Sequence, residues 1–324
     1  MLRSKLAVVF GLLTVLVMVG SVTATVGAAT STTTGSGDGL TISPLTTNLV
    51  INAGQSQATQ INIQNVTGSS TTIQVSINDF TAGTAENGHP ALLLNPGQYA
   101  PTHSLKRYIS PIANLTLQPG QEKSVNVNIS IPNGTAGGGY YAAVRFTPVS
   151  VNGSKTITLT ASVASLVLVR VPGNVVDDLQ LQGISAQQGN NGSPQVIFFS
   201  NNNVVASVRF NNVGNVQEQP FGKMIVKNGN KQIGIYDING TTPAGNVLPG
   251  SVRNFTVPLH NIGMIGKYTL IGNFGYGTNG QLLSGTTTFY VVPLMVIILA
   301  IVVLLLIVFL VVFFPKMRRN RNRR

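Results

Sequence analysis

The chain has 324 residues, only 9% of them charged, and no cysteine. That length accommodates about two domains, and the missing thiols exclude disulfides, thiolate catalysis and cysteine-ligated zinc. The net charge of +12 sits mostly at the ends, and no basic block with interleaved aromatics occurs between them, so nucleic acid is excluded as a partner.

Residues 1–29 carry a basic start (Arg3, Lys5), an apolar run over 6–19 and small residues in VGAAT. These are the three parts of a secretory signal peptide, cleaved after Ala28 or Ala29. Residues 30–38, rich in Ser, Thr and Gly, read as a flexible lead-in with too little apolar surface to fold.

The span 39–172 predicts a first immunoglobulin-like sandwich. Residues 58–65 and 71–80 alternate apolar and polar around TGSS, the pattern of half-buried antiparallel strands. Residues 81–104 read as one long loop. Strands at 114–117 and 124–131 flank QPGQE, where proline presets φ and glycine supplies the positive φ that reverses the chain. The same arrangement stands at INAGQSQATQINI and VLPGSVRNFTVPL: a glycine (Gly54, Gly120, Gly250), then apolar residues at plus seven and plus nine. Side chains two apart share a face of a strand, so each repeat predicts a turn and an outgoing core strand.

GGGYY opens a further strand over 140–147. Parity puts Tyr140, Ala142, Val144 and Phe146 on its core face, and Tyr141 and Arg145 on the outward face, where they form the candidate surface-binding pair. A strand over 156–171 ends at Pro172-Gly173, the domain boundary. The span 173–291 then offers short strands separated by NNVGN, KNGNK, NGTTPAGN and YGTNGQ, which predicts a second, membrane-proximal immunoglobulin-like sandwich.

Residues 292–314 predict a transmembrane helix. The run 294–314 has no polar group and as a helix measures roughly 32 Å, enough for a ~30 Å hydrocarbon core. Tyr290 suits the outer interface and Pro293 the first helical turn. The tail 315–324, with Lys316, Arg318, Arg319, Arg321, Arg323 and Arg324, marks the cytoplasmic side and suits anionic headgroups. The expected topology is single-pass type I in the cell membrane, with residues 30–290 extracellular. The fold class is all-β, two sandwiches followed by one membrane helix.

Nothing in the sequence assembles a reaction centre. His89, His103 and His260 lack ligand spacing, and Asp79, Glu86 and Asp177-Asp178 are the clustered acids, the last pair reading as a solvated linker. GSGDG and YGTNG do not lie between a strand and a helix. The reading is therefore non-enzymatic, with no cofactor and no metal. The sequons at Asn65, Asn114, Asn128, Asn133, Asn152, Asn191, Asn239 and Asn254 read as chance in an Asn- and Thr-rich chain.

The stretch LKRYISPIANLTLQPGQEKSVNVNISIPNGTAGGGYYAAVRF (105–146) resembles the first domain of WxL-interacting surface proteins of Gram-positive bacteria, by its L-x-PG turn, alternating strand, I-P and Gly-rich lead into a strand. VRFNNVGNVQEQPFGKMIVKNGN, LPGSVRNF and GKYTLIGNFGYG resemble the membrane-proximal domain of such proteins. The first domain is also similar in fold to pilus-chaperone sandwiches. The family resemblance implies a first domain that binds peptidoglycan and a second that contacts other proteins. A structural stalk that self-associates without a ligand is the other reading left open by the sequence.

Overall fold

The computed structural model describes residues 35–37, 39–149 and 161–321, with side chains within 39–311. The expected signal peptide, Asn152, Arg323 and Arg324 lie outside the described residues.

The first part of the chain forms two facing sheets. Strands β1 (Gly35–Gly37), β2 (Leu40–Ser43), β4 (Ser56–Asn65) and β8 (Glu122–Ser130) make one, in that order. Strands β3 (Thr46–Val50), β10 (Val163–Val171), β9 (Gly138–Val149), β5 (Thr71–Ala82) and β6 (Pro90–Leu92) make the other, with β7 (Leu115–Leu117) also on β5. All pairs are antiparallel except β3 beside β10. Residues 35–37, expected to be part of a flexible lead-in, pair with β2; backbone bonding to a neighbour needs no apolar side chain. β4 and β8 send Ile61, Ile63, Val127 and Ile129 into the core with no exposure, each contributing ~1.5–3 kcal/mol.

The second part repeats the plan. β11 (Leu179–Gln188), β12 (Pro194–Gln195), β14 (Val204–Asn212) and β17 (Ser251–Pro258) form one sheet, ordered β12-β11-β14-β17. β13 (Ile197–Phe198), β15 (Phe221–Asn228), β16 (Lys231–Ile238), β18 (Gly266–Tyr276) and β19 (Gln281–Val291) form the other, ordered β13-β19-β18-β15-β16. Phe210, Phe274, Tyr268 and Phe289 fill the space between them, with Phe210 edge-on to Phe274 at 5.1 Å.

The three glycine turns all adopt positive φ: Gly54 at 82°, Gly120 at 72° and Gly250 at 67°. Two of them are tied down in the same way. The Gly120 amide donates to the Asn65 carbonyl at 2.9 Å, and the Gly250 amide to the Asn212 carbonyl at 2.8 Å. Both asparagines end the neighbouring strand, are fully buried, and donate through Nδ2 to backbone carbonyls. The repeat is therefore architectural: the pairs β4–β8 and β14–β17 are one design used twice.

Helix α1 (Leu294–Arg321) follows β19 after Val292 and Pro293. Pro293 precedes the helix instead of occupying its first turn, and its carbonyl accepts from the amides of Val296 at 2.9 Å and Ile297 at 3.4 Å. Leu294–Val311 is long and apolar enough to cross a bilayer, and none of it is buried. The helix, expected to end at residue 314, runs on past Pro315 to Arg321 and so takes in Lys316, Arg318, Arg319 and Arg321 of the basic tail.

Candidate functional site

The triple glycine before β9 is a close-packing device. A Cβ on Gly137 would stand 2.7 Å from the Asn174 amide nitrogen, and one on Gly139 would overlap the Tyr141 hydroxyl. Absent those side chains, Asn215 from the second half reaches in. Its carbonyl accepts from the Gly139 amide at 2.8 Å, and its Nδ2 donates to the carbonyls of Asn174 and Gly137.

This close approach changes the outward face of β9. Tyr141 does lie opposite the main core, but that face is covered. It packs with Phe80, Ala143 and Leu168, with Leu248 of the second half against them, and is 3% exposed. Its hydroxyl donates to Gln217 Oε1 at 3.1 Å, and burial raises its pKa. Tyr141 is thus corrected from a surface-binding residue to part of the contact between the two halves. Arg145 is half-buried, with Nε donating to Ser76 Oγ at 3.3 Å. It lines neither cavity described below, so the structure does not bring the expected pair into one site.

A different set of residues converges nearby. Asp79, fully buried, accepts from the amides of Ala100 and Lys106, both at 2.9 Å, and so fixes the loop that precedes a short 3-10 turn at Lys106–Tyr108. The fixed loop places His103, Arg107 and Tyr108 against Tyr140 around a cavity of about 370 Å³. Tyr108 meets Tyr140 edge-on at 5.7 Å, and the Tyr140 hydroxyl donates to the Ala136 carbonyl at 2.9 Å. Burial, then the neighbouring Tyr108, raises the Tyr140 pKa, so the phenol stays neutral. His103 holds Nδ1 at 2.6 Å from the Gly139 carbonyl, and the Arg107 guanidinium lies over the Tyr99 ring at 4.8 Å. Among the described residues no carboxylate lines this cavity. Such a surface offers aromatic faces to a ring with C–H edges and a cation to an acidic group.

Sequence parity assigned Tyr140 to the core, and it is only partly there. His103 was read as a loop histidine, and Arg107 and Tyr108 follow a stretch with no alternation to read. The adjacency of Arg107 and Tyr108 was the one available signal.

A second cavity, about 350 Å³, lies between the halves, lined among others by Asn48, Arg170, Gln217 and Glu218. Here Arg170 Nη2 donates to Asp177 Oδ2 at 2.8 Å, both side chains largely buried. Asp177 is therefore a structural ion-pair partner and not linker solvation. Among the described residues no donor reaches Asp177 Oδ1 or Glu218 Oε1, both buried, an arrangement that a proton held by Glu218 relieves. Burial, then the hydrogen bond and charge of Asp177, push Glu218 up to about 8. Burial opposes ionisation of Asp177 too, but hydrogen bonds from Arg170 and Glu218 hold it below its usual value. Glu86, the other clustered acid, crosses to the second half, where its carboxylate takes Arg209 Nε at 2.8 Å and Nη2 at 2.5 Å. Among the described residues no group of acids, histidines or cysteines is placed to hold a metal.

Residues 47–148 match the family model described as WxL Interacting Protein, peptidoglycan binding domain. A comparison with curated proteins returns no match. Similar solved structures include the class 5 fimbriae chaperone CfaA, at 13% identity over 79% of this chain and 100% of that one, with a TM-score of 0.38. The E. coli chaperone DraB is 13% identical over 81% and 98%, at 0.32. The Pseudomonas aeruginosa CupB2 chaperone is 11% identical over 75% and 97%, at 0.33. At such values these likenesses bear on neither site nor role. The span matched by that family model runs from β3 to β9 and takes in His103, Arg107, Tyr108 and Tyr140.

Proposed function

We propose that this chain is a non-enzymatic cell-surface protein that holds peptidoglycan on its first sandwich and is anchored in the membrane by α1. The observation that carries the reading is the coincidence of the family match with the cavity bounded by His103, Arg107, Tyr108 and Tyr140. Tyr108 and Tyr140 present ring faces and edges to an amino sugar. Arg107 stands where a lactyl or stem-peptide carboxylate would meet positive charge and hydrogen-bond donors, and His103, whose Nδ1–H is spent on the Gly139 carbonyl, has Nε2 left as an acceptor for a hydroxyl or amide. The binding is reversible and involves no bond making.

In this reading residues 39–172 and 173–291 are the two domains, residues 30–290 lie outside the cell, and the basic end of α1 lies inside. The apolar length of Leu294–Val311 supports the anchor, and the positive charge after it supports the orientation.

The test is co-sedimentation of the full chain, held in detergent, with insoluble peptidoglycan at low and moderate salt. Retention of the native chain is expected, and a loss of about tenfold when Arg107→Ala and Tyr108→Ala are combined, the ~1.4 kcal/mol that one charge-assisted contact supplies. Equal retention of both proteins would move the site elsewhere, and no retention of either would remove the function.

A further inference from the structure

The end of the second sandwich farthest from the first carries a surface that the core does not use. Ile197 is 53% exposed, Phe199 58%, Met264 70% and Ile265 59%. Backbone bonding gathers them. Phe198 pairs with Val291, Gly266 pairs with the same Val291, and Asn201 Nδ2 donates to the Ile262 carbonyl at 2.8 Å. Large exposed apolar side chains brought together in this way mark a contact surface.

The same end has a one-sided charge. The acids of residues 173–291 are Asp177, Asp178, Glu218 and Asp237. The first three lie beside the first sandwich, and Asp237 pairs across to Lys223 near the end of β16 that leads back toward it. Around the apolar end stand Lys227, Lys231 and Lys267, with no carboxylate among the loops they share.

The occupant follows from the chain itself. Between Val291, the last residue of β19, and Leu294, the first of α1, stand only Val292 and Pro293. Fully extended, two residues span ~7 Å, and Val292 is further held by its amide, which donates to the Phe198 carbonyl at 2.8 Å. A sandwich on so short a tether cannot stand clear of the surface its helix enters. We propose that this end is seated in the bilayer interface, with Ile197, Phe199, Met264 and Ile265 below the headgroups of the leaflet and Lys227, Lys231 and Lys267 against anionic lipid. The inference rests on the reading of α1 as the anchor, and it fixes the second sandwich upright as a rigid foot.

The chain has no tryptophan, so single reporters can be placed without background. The full chain is reconstituted into vesicles of phosphatidylcholine with a minority of phosphatidylglycerol, with bromines at graded depths along the acyl chain. Phe199→Trp and Met264→Trp are expected to lose about half their emission to shallow bromines, as side chains ~5–10 Å into the interface do. Leu282→Trp, 82% exposed on β19 toward the opposite end, is expected to lose none. Leu304→Trp in α1 reports the anchor. Quenching of Leu304→Trp but of neither Phe199→Trp nor Met264→Trp overturns the seated foot and leaves the anchor standing. No quenching of Leu304→Trp overturns both. Shielding of Phe199→Trp that persists in detergent and ignores bromine would assign the surface to a second copy of the chain, which also overturns the proposal.

Discussion

Glu218 lines the cavity between the sandwiches beside Arg170, whose guanidinium pairs with Asp177, and together the two acids make the joint between the sandwiches sensitive to proton concentration. Glu218 has a folded pKa of about 8 against an ordinary 4.5. The folded chain therefore retains a proton that the unfolded chain gives up, and stability from this group is full below about pH 4.5 and falls as pH rises through about 8. Asp177, held below its usual value, acts in the opposite sense and loses its contribution only as pH falls through its depressed folded pKa. Thermal unfolding followed from pH 5 to pH 8.5 should show native stability declining by at most ~1.4 kcal/mol per pH unit from Glu218. Glu218→Gln, which keeps a donor toward Asp177, should flatten that decline; an unchanged slope would place the titrating group elsewhere. The two buried asparagines offer a second test. Asn65→Ala or Asn212→Ala strands backbone carbonyls and a turn, and each should cost about 2–4 kcal/mol in denaturant unfolding. A cost well under 1 kcal/mol would mean that water replaces the amide. Asn65 also begins a sequon, but its side chain is fully buried, so a glycan on it is incompatible with this fold.

At the scale of the element, the glycine turns separate backbone strain from crowding. Among the described residues nothing lies within 4 Å of a Cβ built on Gly120 or Gly250, whereas one on Gly54 would stand 2.1 Å from Asn133 Oδ1. Gly120→Ala and Gly250→Ala should each cost about 1–2 kcal/mol, the left-handed penalty alone, and Gly54→Ala clearly more. Equal costs at all three sites would contradict this division. These turns were legible in the sequence because proline, glycine and period-two alternation are local signals. Strands β2, β3 and β6 were not, since LTIS alternates over only four residues, TTNLV and PAL carry almost no alternation, and all three are drawn into sheets by β4, β10 and β5. The expected long loop over 81–104 contains β6, and Glu86 within it caps the free edge of β17 by accepting from the Asn254 amide at 2.7 Å. Edge β8 is covered likewise, by the Ser110 amide on the Asn128 carbonyl. Covered edges resist pairing with other chains. Tyr141 shows the limit most clearly. Parity gave its face correctly, but what covers that face lies 76 residues further along, at Gln217, and no local pattern carries that.

At the scale of the whole molecule, the two sandwiches are joined through Asn215, Tyr141 and the Glu86–Arg209 pair, and the cavity formed by His103, Arg107, Tyr108 and Tyr140 opens on the first sandwich beside that joint. Wall polymer held there and a helix rooted in lipid at the other end would make the chain a bridge across the space between them, with load passing through the joint. The most direct measurement is hydrogen exchange of the full chain with and without soluble peptidoglycan fragments. The account predicts slowed exchange at residues 99–108 and 136–141, with residues 189–203 and 259–266 unchanged. Protection confined to the second sandwich, or none at either place under saturating fragment, would contradict it.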